Sequence, residues 1–463
     1  MDQARLADWT RRFMGRVLQL EELALRLEPA GAGLCRVQIT QSPYGSQAGP
    51  ITPLRAADEL ARLLRGMEAA VRGGVPARPA KRHVAPEEPP EEPGAPEADL
   101  SPLEVGDRLF RALFSANVLE TFLKSLGRAE SRPDAGLRIR LVLDPAAPEI
   151  GALPWELLYR ADTRDFLGCN PLTPLVRYLE VPRLAAPAPL ADALRILVVA
   201  ASPRDQDALD LGEERQRLLA AWGKEEERVA IEFLDQPTLL GLRTRLMSQP
   251  YHVLHFMGHG DFDPRTGEGV LLFEDAQRNS APVSGRLLAE AVKDSRWLRL
   301  VLLNACDTAQ LPRRGGQDPF SGVASALLLG GVPAVIAMQY PISDDAALVF
   351  SQQFYAALAA GFPVDSAAAE ARLAIRLSLP DSWEWATPAL YMSVPDGRIL
   401  RPAAPAEDAA PAATAPAPQP AAPAATPHAD TAASTGGFAF GGSGNTFQGI
   451  QISTTRKDDD PAK

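Results

Sequence analysis

Residues 251–263 read YHVLHFMGHGDFD. The chain has five histidines, and three of them, His252, His255 and His259, fall in this stretch. On a helix, positions i, i+3 and i+7 share one face and can converge on a metal ion. Gly258 and Gly260 oppose a helix, because an apolar run ending in glycines reads as a strand and then a turn. On a strand, His252 and His255 point to opposite faces, which splits the trio. A metal-dependent hydrolase built on the cluster is the weakest reading, and no metal or other cofactor is expected. His255 lies inside the apolar run and is expected in the core, while His252 fits either core or rim. His259 sits between two glycines and is expected on a loop at the strand's carboxyl end. Ligands and chemistry gather at that edge in open α/β sheets.

A second stretch, LRLVLLNACDTA at 298–309, has the same design. An apolar strand ends in Asn304, Ala305, Cys306 and Asp307, which places Cys306 at the same edge as His259. The two positions are 47 apart, room for a loop and one helix, and so for a βαβ unit with parallel strands. A Cys facing a His suits nucleophilic catalysis: the thiolate attacks a carbonyl and the imidazole manages protons. Backbone N–H groups of Gly260 and Cys306 are candidates for the oxyanion hole. The competing reading of Cys306 alone is a small buried hydrophobe; the matching topology of His259 favours the nucleophile.

From 101 to about 400, short apolar runs alternate with helical segments, the pattern of an α/β fold with a mostly parallel sheet flanked by helices. Strands are expected at 137–143, 194–201, 251–257, 298–304 and 333–339. Helices are expected at 213–222, 238–247, 284–293, 321–329, 344–360 and 364–378. Residues 1–75 read as a small helical N-terminal region, either an adaptor or an extension packed on the main domain. Its apolar positions include Leu18, Leu20, Leu23, Leu25 and Leu27, then Leu60, Leu63, Leu64 and Met67. Residues 76–100 form a Pro/Glu-rich linker and 401–435 a Pro/Ala-rich disordered linker. Residues 436–463 are a Gly-rich, β-prone tail.

HFMGHG followed by VLLNACDTA resembles the CHAT-domain peptidases of the caspase-like clan CD group, which includes caspases, separase and the gingipain/clostripain proteases. LPWELLY (153–159), PLVRYL (174–179), the run from Ser321 to Gly361 and WATPALYM (385–392) extend the resemblance across about 101–400. It implies a caspase-like fold and a cysteine-type endopeptidase with His259 and Cys306 as the dyad and Gly260 at the oxyanion hole. It also implies a protein substrate and control by a partner, in bacterial defence or programmed cell death. The cysteine stands in N-A-C-D, not Q-A-C-R-G, so cleavage after Asp does not follow. Asp307 is a candidate substrate-binding residue. Of the next acidic pair, Asp344 is expected to cap the 344–360 helix, and Trp155 and Pro154 of LPWELL read as structural. A silent caspase-like scaffold or sensor is the alternative, and the presence of both His259 and Cys306 opposes it.

The net charge of −11 and the lack of any Lys/Arg-rich run disfavour nucleic acid as a partner. Three cysteines in no metal or disulfide spacing suit a reducing compartment. No run approaches the roughly 20 apolar residues of a membrane helix, and no signal peptide is legible, so a cytoplasmic location is expected. In the tail, NTFQGIQIST (445–454) is short, uncharged and β-prone, a candidate for self-assembly.

Overall fold

The computed structural model describes residues 19–53 and 101–402, apart from 32–33, 134, 145–146, 183, 191–192, 207–208, 210–211, 213–214, 218, 220–227, 264 and 306–318. Among the described residues, thirteen strands build one sheet. They are β1 (Gln19–Pro29), β2 (Leu34–Gln41), β3 (Ile51–Pro53), β4 (Ala135–Leu143), β5 (Leu175–Tyr178), β6 (Leu194–Ala200) and β7 (Val229–Phe233). They continue as β8 (Val253–Phe262), β9 (Gly269–Glu274), β10 (Ser280–Ser284), β11 (Leu300–Ala305), β12 (Ala334–Met338) and β13 (Pro388–Met392). The order across the sheet is β7-β6-β8-β11-β12-β13-β5-β4-β1-β2-β3, with β9 paired to β8 and to β10.

The sheet consists of two parallel blocks. β7, β6, β8, β11 and β12 run one way. β13 turns antiparallel to β12, and β5, β4 and β1 follow its direction. β2 and β3 close the far edge as antiparallel strands. The helices of eight or more residues among the described residues are α1 (Pro102–Leu113), α2 (Ala116–Glu130), α3 (Leu239–Ser248), α4 (Gly285–Val292), α5 (Pro319–Leu329), α6 (Asp344–Ala359) and α7 (Val364–Ser378). Of the helix expected at 213–222, only residues 215–217 and 219 are described, and they are helical.

Strand alternation sorts the core into two layers. Val253, Met257, Leu300, Leu302 and Ile336 pack on the side of α6 and α7. Leu254, Phe256, Val301, Leu303 and Val335 pack on the side of α3, α4 and α5. Both faces are therefore covered, which is why these strands read as unbroken apolar runs. Each such side chain taken out of water contributes about 1.5–3 kcal/mol.

The N-terminal region departs from the helical expectation. Residues 19–41 are the strands β1 and β2, and β1 pairs with β4 over nine rungs, from Gln19↔Ala135 to Leu27↔Leu143. The physical reason lies in the spacing: Leu23, Leu25 and Leu27 are two apart and all buried on one face, a period that suits a pleated strand. A buried ionic network binds this strand into the rest. Glu22 accepts from Arg140 and, at 3.5 Å, from Arg138; Arg138 donates to Asp365 in the first turn of α7 at 2.5 Å. Residues 19–41 are thus part of the main sheet, not a separate adaptor. Leu18, the second apolar stretch at 57–71, the linker at 76–100 and everything after 402, including the linker at 401–435 beyond its first two residues and the segment 445–454, lie outside the described residues. Among the described residues, no helix is long and apolar enough to cross a membrane.

Candidate functional site

Strand β8 carries all three histidines of the opening stretch or adjoins them. His252 immediately precedes it, and its Nδ1 accepts from the Arg195 backbone N–H at 3.1 Å. Its ring meets Trp297 edge-on at 6.2 Å. Burial is the main cause that pulls its pKa below the usual histidine value. The rim-or-core choice therefore resolves to a buried structural residue. His255 lies on the opposite face, on the side of α6, where its ring meets Tyr355 at 6.0 Å. It is 2% exposed, and its Nε2 has no hydrogen-bond partner among the described residues. Burial pushes its pKa down to about 3, so the ring is neutral at physiological pH.

His259 is not on a loop. β8 runs on to Phe262, because its end leaves the parallel sheet and pairs antiparallel with β9: His259 lies opposite Leu272 and Gly260 opposite Leu271. The β9–β10 hairpin supplies the ladder that local sequence cannot show, and it fills part of the connection expected to hold only a loop and one helix. Gly258 marks the departure. A Cβ there would meet the Phe256 ring at 2.9 Å and the Ala201 carbonyl oxygen at 3.1 Å, so the crowding, not a turn, accounts for the glycine. By strand alternation His259 shares the face of His255 and Met257, and it is buried.

β8 and β11 are parallel neighbours, with rungs from Val253↔Leu300 to Gly258↔Ala305. The offset is constant at 47 residues. Cys306 and Asp307 lie outside the described residues. Asn304, two positions before Cys306, is buried at the end of β11 and lies opposite Met257. The other two cysteines are unsuited to reaction: burial is the main cause that raises the Cys35 thiol to about 11 and the Cys169 thiol to about 12. Among the described residues, no group of His, Cys, Asp or Glu is arranged to hold a metal ion.

The loop after β12 leads to α6 at the same edge. Its cap is Ser343, not Asp344: the Ser343 hydroxyl accepts from the Ala346 N–H at 3.2 Å. Asp344 and Asp345 occupy the first turn, where carboxylates suit the positive end of the helix dipole. Asp345 pairs with Arg217 at 3.3 Å on the surface. Asp344 lines a cavity of about 10 Å³ with His255, Asn304, Arg217 and Ser351.

Behind this loop lies a polar cluster that the sequence reading did not single out. Arg177 of β5 donates to both oxygens of Glu156, at 3.0 and 2.6 Å, and to the Gln339 side-chain oxygen at 2.9 Å. Gln339 in turn donates to Glu156 and to the Ala386 carbonyl, each at 2.8 Å. Glu156 is buried, which alone would raise its pKa; the Arg177 and Arg372 guanidiniums outweigh that and hold it below the usual carboxylate range. The cluster joins all four segments that extended the family resemblance: LPWELLY through Glu156, PLVRYL through Arg177, the 321–361 run through Gln339 and WATPALYM through Ala386. The clue was present as one charged residue inside each of two apolar runs. Trp155, read as an anchor, is fully buried and donates through Nε1 to the Ile150 carbonyl at 2.9 Å.

Residues 103–396 match the family model of the CHAT domain. That is more than half of the chain, and the chain belongs to this family. Residues 19–53 lie outside the match, although β1 to β3 share its sheet. None of the curated proteins matches the chain. Among solved structures, it is similar to the Arg-specific cysteine proteinase gingipain R, at 12% identity and a TM-score of 0.38, over 64% of this chain and 70% of that one. It is also similar to Saccharomyces cerevisiae separase in its complex with securin, at 12% identity and a TM-score of 0.44, over 84% of this chain and 31% of that chain.

Proposed function

We propose that this chain is a caspase-like cysteine endopeptidase with His259 and Cys306 as its dyad, acting on a partner protein. The observation that carries the reading is the register of β8 on β11. Its last rung is Gly258↔Ala305, and the next residues in the sequence are His259 and Cys306. Residues opposite each other on neighbouring parallel strands have side chains on the same face, about 5 Å apart. Cys35 and Cys169 are buried with raised pKa values, which disfavours both as the nucleophile.

In this reaction the Cys306 thiolate adds to the scissile carbonyl carbon. The carbonyl oxygen takes the negative charge, held by the backbone N–H groups of Gly260 and Cys306. The C–N bond then breaks as protonated His259 gives its proton to the leaving amine. Water, deprotonated by His259, hydrolyses the thioester and releases the new carboxylate and the thiolate. Asp307 is proposed to face the residue before the scissile bond, which favours Arg or Lys there. A partner protein restrains and releases the enzyme in the cytoplasm, in the defence or cell-death setting that the family resemblance implies. Self-assembly through 445–454 is a further element; a 436–456 peptide that stays monomeric and thioflavin-negative removes it.

The test is cleavage of peptides ending in Arg, Lys or Asp, and of the proteins encoded beside this gene, by the full chain and by Cys306→Ala and His259→Ala. Loss of cleavage in both variants is expected, with Arg or Lys preferred. Unchanged biological output in both variants favours the silent scaffold. Activity that survives both variants but not a chelator favours a metal hydrolase.

A further inference from the structure

We infer that His255 is a positioning residue for this dyad: with Asn304 it holds one water between β8, β11 and α6, directly behind the strand ends that lead to His259 and Cys306. The inference rests on the dyad reading and deepens it. Three observations meet at one place. His255 is buried, yet its Nε2 has no hydrogen-bond partner among the described residues. It lines the cavity of about 10 Å³ together with Asn304, Ser351 and Asp344. That volume is about one water, and a buried water needs two to four polar neighbours, which these side chains supply. Finally, the cavity sits at the right level of the sheet. His255 is four residues before His259 on the same face, and Asn304 is two before Cys306.

The residue type is informative. A buried polar atom without a partner destabilises a fold, and an apolar side chain of similar size would be better for stability. Leucine packs well in this layer, as Leu300 and Leu302 of the neighbouring strand do. A histidine here is explained if its nitrogen is used. A neutral imidazole both donates and accepts, so it orients a water that also touches Asn304, two positions before Cys306 in the sequence. The groups facing the ring are Tyr355, Asp344 and Arg217, and none of them has to change charge for this role.

The experiment measures alkylation of Cys306 by iodoacetamide on the full chain as a function of pH, read by mass spectrometry of the Cys306 peptide, beside the melting temperature. His255→Leu is expected to melt at an equal or higher temperature, yet to slow alkylation at neutral pH about tenfold and shift its pH midpoint, because small misplacement of a reacting group is costly. His255→Gln, which keeps a polar head, is expected to restore most of the rate. An unchanged pH profile in His255→Leu overturns the inference and leaves His255 as packing. If His255→Leu fails to fold, Ser351→Ala tests the same cavity from α6, and an unchanged profile there overturns it equally. His259→Ala in the same assay separates the two readings. If it leaves the profile unchanged, the dyad itself falls; if it shifts the profile while His255→Leu does not, only the positioning role falls.

Discussion

Two polar groups are buried in this protein with opposite hydrogen-bond economies. Glu156 is saturated: Arg177 grips both its oxygens, Gln339 donates to it, and the same Arg177 reaches the Leu153 carbonyl at 3.0 Å. His255 has an Nε2 with no partner among the described residues. The first arrangement meets the physical requirement for burying charge, which is pairing plus hydrogen bonds to every remaining lone pair. The second is a neutral ring, and for it the milder rule that a buried polar atom keeps a hydrogen-bond partner is met only through the proposed water. Glu156 joins segments that are far apart in the chain, so its network is architecture. His255 lies four residues from the candidate base, among the apolar side chains of Val253, Leu254, Phe256 and Met257. A fold tolerates an unsatisfied group where position has been favoured over stability.

The largest effect is expected where the saturated network is broken on one side. Glu156→Ala leaves Arg177 buried and uncompensated, and is expected to cost about 3–5 kcal/mol, read from urea unfolding. A cost below about 1 kcal/mol, the level of a surface pair, would erase the contrast. The next effect is a pH signature of His255. Its folded pKa, about 3, lies below the ordinary 6.5. The unfolded chain therefore takes up a proton first as pH falls. Stability is complete above about 6.5 and declines by about 1.4 kcal/mol per pH unit below it, levelling near pH 3. Unfolding of His255→Leu from pH 7 to 4.5 should lack that slope; an identical slope in both proteins contradicts a buried neutral ring.

Glu156, held below the usual carboxylate range, acts lower on the scale. Its contribution is present above the ordinary carboxylate pKa and is lost as pH falls through its depressed value. Comparing Glu156→Gln with the parent below pH 4.5 should show the parent losing the larger share of its stability. The smallest effect belongs to the loop between the two groups. Ser343→Ala removes the cap of α6 and is expected to cost about 1 kcal/mol, read from the melting temperature, with no change in the acid slope of His255.

Much of the scaffold of the candidate site was legible in local pattern. The apolar runs ending in MGHG and NACD place two strands with chemistry at their carboxyl ends, and the observed β8 and β11 begin within two residues of the expected positions. Opposite faces for His252 and His255 follow from period two alone. The N-terminal leucines read as one apolar stretch of a helical region, but Leu23, Leu25 and Leu27 alternate with the period of a strand. The extension of β8 through His259 was not legible, since its partner β9 supplies the hydrogen bonds.

The sequence by itself determined the α/β class, the strands β4, β6, β8, β11 and β12, the helices α3 to α7 and the residue types at the sheet edge. Those follow from side-chain periodicity, glycine placement and helix-end chemistry, which act over a few residues. Only the tertiary structure decided that β1 and β2 join the main sheet, that His259 rides on a strand, and that β8 and β11 pair at an offset of 47 residues. It alone also left one nitrogen of His255 unmatched and every oxygen of Glu156 matched. Pairing and burial depend on partners tens to hundreds of residues away, and nothing in a local pattern encodes which partner will be met.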